Sequence, residues 1–429
     1  MIRCDDAKSA RAARDWRIMT ANGSLRSFRH RNFRIYYIST TLSNIGTWVQ
    51  RIAQNWLVLE LTNNALWLGV VVALQSAPSL FSFFGGTLAD RISKPKLLVF
   101  TSFSGFLWAG ALGLLVVTNH VLLWHVLVIA LALGITSAVD GPVRHSFIPE
   151  LVPEEDIPNS VALNSVNFNT ARLIGPALSG FMIEAFDTGP SFLLNAISFL
   201  AVIAAVLMID NKELHRKEPR AGARFSEAVK YIRARPDLMA MMLVIFFFAT
   251  FGVNPELFSA IMATKEFGLQ AGEFGLLGSV IALGSLTATL IATKQEHAPG
   301  ISRIIKYAIF TGCAIIFSAL MPTYLLYAMA LPIYGFGMLT TAVASNTTIQ
   351  LNTAPEIRGR VIGIYLAMWM GFAPGVAPLL GWMTEHFGAR IAIAFSGSVT
   401  VLGVSIVAWI YRGRLHPPED LSIESVVRP

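Results

Sequence analysis

Charged residues are scarce in this chain of 429 residues, where they make up 14% of the total, against about 25% in an average soluble domain. Hydrophobic residues reach 54% and form long runs that contain almost no charge. About 20 consecutive apolar residues are enough to cross the hydrocarbon core of a bilayer. The composition therefore predicts a membrane protein. The net charge of +7 does not indicate nucleic-acid binding, because the basic residues lie between the apolar runs.

Cysteine is also rare. Cys4 lies in a polar tail and Cys313 lies inside an apolar run, so neither a disulfide nor a metal site is expected. The sequence has no nucleotide-binding loop, no metal-ligand cluster and no catalytic triad, so we predict neither an enzyme nor a cofactor. Residues 1–25 lack the apolar core of a signal peptide, and Met19 is an alternative start.

Twelve apolar runs predict an all-α membrane protein with two pseudo-symmetric bundles of six transmembrane helices. The predicted spans are 34–60, 65–89, 97–118, 121–143, 158–184, 189–209, 238–263, 271–293, 303–321, 323–348, 358–384 and 389–411. The predicted domains are a polar tail (1–25), a first bundle (26–209), a cytoplasmic linker (210–237), a second bundle (238–411) and a C-terminal tail (412–429).

The basic residues set the predicted orientation. With the N-terminus in the cytoplasm, all but four of the 33 Lys and Arg residues fall on the cytoplasmic side. Lys265 and Arg390 fall outside, and Arg51 and Arg172 lie within spans. The positive-inside rule therefore predicts a multi-pass membrane protein with both termini in the cytoplasm.

The charged linker contains a segment, 225–233, with the period of an amphipathic helix. We expect its apolar face to lie toward the membrane surface. A docked helix in a solvated linker is the simpler interpretation, and a regulatory role is the alternative.

An internal repeat relates the two halves at an offset of about 200 residues. The segment Gly180–Phe186 (GFMIEAF) matches Gly381–Phe387 (GWMTEHF) at four of seven positions. Parallel repeats of this kind place a substrate site between the halves near the middle of the membrane.

The loop after the second span reads GTLADRISKPK from Gly86 to Lys96. It resembles the loop signature of the major facilitator superfamily, although Ser93 and Pro95 replace a usual glycine and a usual basic residue. Three further stretches resemble the enterobactin-exporter and macrolide-efflux branch: Trp56–Thr62, Asp140–Pro153 and Asn164–Gly180. The resemblance covers roughly residues 26–410. It implies a monomer in the lipid bilayer of the plasma membrane (the bacterial inner membrane) that exports an amphipathic small molecule, siderophore-like or macrolide-like (drug-like), in exchange for protons.

The resemblance also implies a cytoplasmic gate formed by Gly86, Asp90, Arg91, Lys94, Asp140 and Arg144. Arg91 or Lys94 would pair with Asp140, and Asp90 would face the positive N-terminal end of the eleventh span. Alternatively, these charges only enforce topology. Small residues permit close helix packing in lipid, and the predicted packing motif is Gly175, Pro176 and Gly180.

Three ionisable residues lie deep within spans, where each costs about 2.5–3.5 kcal/mol on insertion scales. Arg51 belongs to a polar stripe on the first span with Asn44, Trp48, Gln54 and Asn55. Glu256 lies beside Pro255 at a nearly equivalent position in the second half. We hypothesise that Arg51 and Glu256 face each other across a cavity and that Glu256 carries the coupled proton. The alternative is a static ion pair that holds the periplasmic gate.

Arg172 has no acidic residue at its own depth, and Asn346 and Gln350 are its expected partners. Two arginines against one carboxylate favour an anionic or neutral polar substrate, unless Arg172 only supports helix packing. Trp369 and Phe372 are also expected near the cavity. Uptake by the same fold remains a competing function. A transport-inactive sensor or scaffold is another, although it has no need to bury Arg51.

Overall fold

The computed structural model describes residues 23–82, 92–215, 225–292, 299–354 and 357–415. Helices occupy each of the twelve predicted ranges. The six of the first half are α1 Arg31–Thr62, α2 Ala65–Ser76 (continued by a 3-10 turn, Ala77–Phe81), α3 Lys94–Val117, α4 Leu123–Phe147, α5 Ile157–Phe186 and α6 Gly189–Leu207. Those of the second half are α7 Pro236–Gly252 with Pro255–Ile261, α8 Ala271–Ala292, α9 Ile301–Ala319, α10 Tyr324–Leu351, α11 Arg358–Gly371 with Ala373–Phe387, and α12 Ala389–Ile410.

Nine of the described helices have the length and composition of membrane spans. α1, α2 and α5 fall outside that group; α1 and α5 carry many polar residues, and α2 is short. No strand occurs in the described ranges. The all-helical class is therefore confirmed, whereas the count of twelve crossings and the cytoplasmic position of the termini stay predictions.

The break in α7 has a local cause. Pro255 lacks a backbone N–H, so it cannot continue the hydrogen-bond ladder of the preceding segment. The carbonyls freed by the break find other donors: the Asn254 side chain donates to Thr250 O (3.1 Å), and the Tyr334 hydroxyl donates to Gly252 O (2.9 Å). Glu256 consequently begins a new helical turn inside the bundle.

We call the end of the bundle at which α1 begins the inner end, and the opposite end the outer end. At the outer end the two halves touch along α2–α11 and α5–α8. A Cβ added at Gly381 would lie 2.3 Å from Ala65 O, and one at Gly180 would lie 2.8 Å from Ala271 O. Only glycine permits backbones to approach this closely, and the outer end is therefore closed.

The chain segment before α1 is fastened to the α4–α5 connection at the inner end. Asp156 is almost fully buried and receives Arg26 Nε (3.0 Å), Arg29 Nη2 (2.8 Å) and His30 Nε2 (2.7 Å). Ser27 adds bonds to the same connection. These contacts make the segment Ser24–His30 part of the folded first half.

The linker helix Phe225–Ala234 is docked on the second half. Its apolar residues Ala228, Tyr231 and Ile232 are buried in the core next to α7 and α11. The expectation that this face lies on the membrane surface is wrong, because its apolar residues pack against α7 and α11 instead. The buried Arg235 completes the attachment by donating to the Tyr231 hydroxyl and to Asn352 O, both at 2.9 Å.

Candidate transport cavity

A polar cavity with a volume of about 460 Å³ lies among the described residues. It extends from Tyr36 near the inner end to Arg51 and Gln54 deep in the bundle. All of its described lining residues belong to the first half, from α1 to α6. The lining is rich in neutral hydrogen-bonding side chains: Thr40, Ser43, Asn44, Thr47, Gln50, Gln75, Ser137, Asn164, Asn169 and Asn195. Such a surface suits a ligand with many polar atoms.

Amide pairs hold part of this lining in place. Asn195 donates to Gln50 (2.6 Å), Gln75 donates to Gln54 (3.0 Å), and Asn44 donates to Asn167 (3.0 Å). Gln54 and Asn44 were predicted from the polar stripe on α1. Gln50, Gln75 and Asn195 were missed, and the polar residue type within an apolar run was the only available signal.

The charges at the inner mouth of the cavity pair differently from the prediction. Asp140 contacts Arg144 one turn along α4 and accepts from Thr101 Oγ1 (2.6 Å) on α3. Lys94 contacts Glu150 and donates to Ser146 O (3.3 Å). The expected Lys94–Asp140 pair is therefore wrong, because Asp140 already has a partner within its own helix.

The remaining residues of the predicted gate, Gly86, Asp90 and Arg91, lie outside the described residues. The gate as a functional unit stays a prediction.

Arg51 and Glu256 meet deep in the bundle, as the repeat predicts. The distance from Arg51 Nη1 to Glu256 Oε1 is 3.3 Å, and the contact joins α1 of the first half to α7 of the second. Arg51 keeps 39% of its side chain exposed and lines the cavity, whereas Glu256 is 21% exposed and lines a separate cleft of about 20 Å³ between the halves. The pair thus separates the inner cavity from the outer end.

Arg172 lies in the same cleft as Glu256. Its Nη2 donates to Met338 Sδ at 3.8 Å, and its guanidinium carbon is 6.0 Å from the centre of the Trp48 ring. The predicted partners are wrong: Asn346 accepts from Gln350 (2.7 Å) on its own helix. Among the described residues, Arg172 therefore has no carboxylate of its own.

Three other predicted cavity residues lie elsewhere. Asn55 is fully buried, and neither atom of its amide has a partner in the described chain. Trp369 packs against Phe248 and Tyr365, with ring centres 5.6 and 6.2 Å away, and Phe372 packs against Phe246. A role for these residues in binding stays a prediction.

The predicted packing motif lies where α5 contacts both α1 of its own half and α8 of the second half. A Cβ at Gly175 would lie 2.4 Å from Trp48 Cβ on α1. Pro176 O lies 2.4 Å from the position of a Cβ at Gly275 on α8. The motif therefore brings α5 against α1 and α8 beside the Arg51–Glu256 pair.

A bundle of apolar helices with a polar cavity and a charged contact between its two halves has the architecture of a membrane transporter. The chain matches the family model described as transmembrane secretion effector over residues 22–426, and it belongs to this family of the major facilitator superfamily. It is consequently a multi-pass protein of the bacterial inner membrane, in agreement with the predicted localisation.

Curated relatives match at low identity. The Staphyloferrin A transporter of Staphylococcus aureus is 23% identical over 384 residues, which cover 88% of this chain and 96% of that transporter. The enterobactin exporter EntS of Salmonella typhimurium is 22% identical over 388 residues, which cover 88% and 91%.

Solved transporters share the fold. A bacterial homologue of the human lysosomal transporter Spinster, in an inward-facing and occupied conformation, matches with a TM-score of 0.70 and 15% identity over 92% of this chain and 99% of that chain. A POT family transporter in complex with 5-aminolevulinic acid matches with a TM-score of 0.73 and 13% identity, covering 90% and 96%.

Proposed function

We propose that this protein is a proton-coupled exporter of a polar or anionic small molecule, of the siderophore class, that works by alternating access. The observation that carries the proposal is the Arg51–Glu256 contact at the deep end of the cavity (3.3 Å). A substrate that enters from the inner end reaches Arg51 at the deep end of the cavity, and Arg51 belongs both to the cavity wall and to the cross-half contact.

Charge supports the substrate class. Asp140 and Arg144 neutralise each other, which leaves Arg51 and Arg172 against Glu256. An excess positive charge in a confined site attracts anions and repels lipophilic cations. The relatives named for Staphyloferrin A and enterobactin support a siderophore-class substrate, and the enterobactin exporter supports the export direction.

Proton coupling is assigned to Glu256. Glu256 contacts Arg51 of the other half at 3.3 Å in this conformation. When the two halves move relative to each other, this contact breaks and a proton replaces Arg51 as the partner of the carboxylate. Glu256 can therefore take up a proton in one conformation and release it in the other.

The test is Glu256→Gln in everted membrane vesicles, with Staphyloferrin A and enterobactin as probes. We expect uptake driven by an acid vesicle interior to fall at least tenfold, while exchange of labelled for unlabelled probe persists without a gradient. Glu266→Gln is the matched control, because Glu266 is on the same half but at the outer surface, bonded to Arg390. Unchanged gradient-driven uptake in Glu256→Gln would exclude the coupling role.

A further inference from the structure

An ion pair of the second half closes over the turn between α1 and α2 of the first half. Lys265 follows the last α-helical turn of α7, and Glu385 lies in the last turn of α11. Lys265 Nζ is 3.0 Å from Glu385 Oε1, and both side chains are about one quarter exposed at the outer end.

Each member of this pair also bonds the backbone of the first half. Glu385 Oε1 accepts from Ala65 N (2.6 Å), the first residue of α2. Lys265 Nζ donates to Asn63 O (2.5 Å), directly after the last residue of α1. A helix carries partial positive charge at its N-terminus and partial negative charge at its C-terminus. Glu385 therefore lies at the positive N-terminal end of α2, and Lys265 lies at the negative C-terminal end of α1.

The conformation of the α1–α2 turn leaves the N–H of Ala65 available to an acceptor from the other half. Asn63 adopts the left-handed conformation (φ +45°) and ends α1. The Asn64 side chain caps α2 by accepting from Leu66 N (2.8 Å). The N–H of Ala65 is one of the donors that a helix start leaves unbonded, and Glu385 supplies its acceptor from the other half. Opening of the outer end breaks both backbone bonds.

The internal repeat shows that the Lys265–Glu385 pair of the second half has no complete counterpart in the first half. Glu184 is the repeat equivalent of Glu385, and its Oε2 lies 2.1 Å from the position of a Cβ at Gly272, near the start of α8. Because α1 and α7 begin at Arg31 and Pro236, the equivalent of Lys265 on α1 is Glu60. An acid at that position cannot neutralise the C-terminal end of a helix.

We propose that Lys265 and Glu385 are positioning residues for the transport cycle: together they form a clamp that recognises the two helix ends of the α1–α2 turn and stabilises the state closed at the outer end. We call this pair the outer clamp. The proposal rests on alternating access as proposed above, and it adds which residues set the balance between the two states. It requires each charge to be opposite in sign to the helix end that it contacts, in addition to the attraction between Lys265 and Glu385.

The test measures how often the outer end opens. Ser259→Cys, in a chain with Cys4→Ser and Cys313→Ser, places a thiol in the closed cleft, where Ser259 is 2% exposed. The readout is the labelling rate by a membrane-impermeant maleimide in right-side-out vesicles. Loss of one charge-assisted bond at a helix start is worth roughly a tenfold change in an equilibrium. Glu385→Gln and Lys265→Met are each expected to raise the labelling rate about tenfold.

The exchanged pair, Lys265→Glu with Glu385→Lys, separates the outer clamp from a plain ion pair. It keeps two opposite charges in contact but places each at a helix end of like sign, so we expect labelling as fast as in the single variants. Slow labelling like that of the parent would overturn the recognition of helix ends. Glu266→Gln is the matched control, because the Arg390–Glu266 pair (2.6 Å) lies at the same surface within one half; it should leave the rate unchanged.

A wedge variant distinguishes failure of the outer clamp from failure of alternating access. Gly69→Trp forces α2 from α11, since even a Cβ at Gly69 lies 2.3 Å from Ala377 O. Fast labelling of the wedge variant together with parent-like rates in Glu385→Gln and Lys265→Met would overturn the outer clamp alone. No labelling of the folded wedge variant would overturn opening at this end, and with it the proposed function and the clamp.

Discussion

At the residue scale, the Trp48 ring brings two guanidinium groups together deep in the membrane. Arg51 and Arg172 lie 5.5 and 6.0 Å from its centre, within the range of cation–π attraction. Only Arg51 has a carboxylate contact. The repeat made the Arg51–Glu256 contact predictable, because equivalent positions on α1 and α7 face each other across a two-fold axis. The contact of Lys94 with Glu150 was not predictable, because it depends on how far α4 extends at its end.

Asp156 provides a prediction about stability. Burial alone raises the pKa of its carboxyl, but the bonds from His30 and Arg29 outweigh that effect and hold the pKa below its usual value. A group with a lowered pKa in the folded state stabilises the fold above its unfolded pKa of about 3.9 and loses that contribution as pH falls through the folded value. Asp156→Asn should therefore cost on the order of 1–2 kcal/mol at pH 7.

The measurement is the melting temperature in detergent at pH 7 and at acid pH. The variant should melt earlier at pH 7, and the difference from the parent should shrink as the parent's carboxyl becomes protonated. Glu155→Gln is the control, because Glu155 also contacts Arg29 but is 71% exposed. An equal loss in Glu155→Gln, or a difference that does not depend on pH, would contradict the role of the buried carboxylate.

At the scale of elements, the outer end is closed by helix pairs whose backbones touch at glycine. The repeated Gly-x-x-x-Glu pattern on α5 and α11 was visible in the sequence and indicated the two-fold relation. It did not reveal that each glutamate lies at the start of a helix in the other half, because single-sequence patterns do not show which helix ends meet. The docking of the linker helix was misassigned for a related reason: an amphipathic face does not identify its apolar partner.

Gly381 tests the role of these contacts. Gly381→Leu adds a side chain whose Cβ alone would lie 2.3 Å from Ala65 O, so α2 and α11 cannot close. We expect at least a tenfold loss of gradient-driven transport, with protein that still inserts and gives a monodisperse gel-filtration peak. Gly363→Ala, on the same helix with no atom within 4 Å of the added Cβ, should retain parent activity. Normal transport in Gly381→Leu would show that this contact is dispensable.

At the scale of the whole molecule, the described residues that line the cavity all belong to the first half, whereas the contact that seals its deep end joins both halves. This division suggests that the first half holds the substrate and that the second half, through Glu256 and the outer clamp, sets the conformation. The fold of the whole molecule is shared with solved transporters. The sequence predicted the class and the deep charges, since both follow from the cost of burying charge in lipid.

Proton-coupled export of an anionic or polar substrate is tested by the charge preference of transport in everted vesicles with an acid interior. Staphyloferrin A, enterobactin and the aromatic cation ethidium serve as probes. The positively biased cavity predicts that at least one of the two siderophores accumulates, that an uncoupler abolishes this accumulation, and that ethidium does not accumulate. Accumulation of ethidium alone, or siderophore uptake that is insensitive to the uncoupler, would contradict proton-coupled export of an anionic or polar substrate.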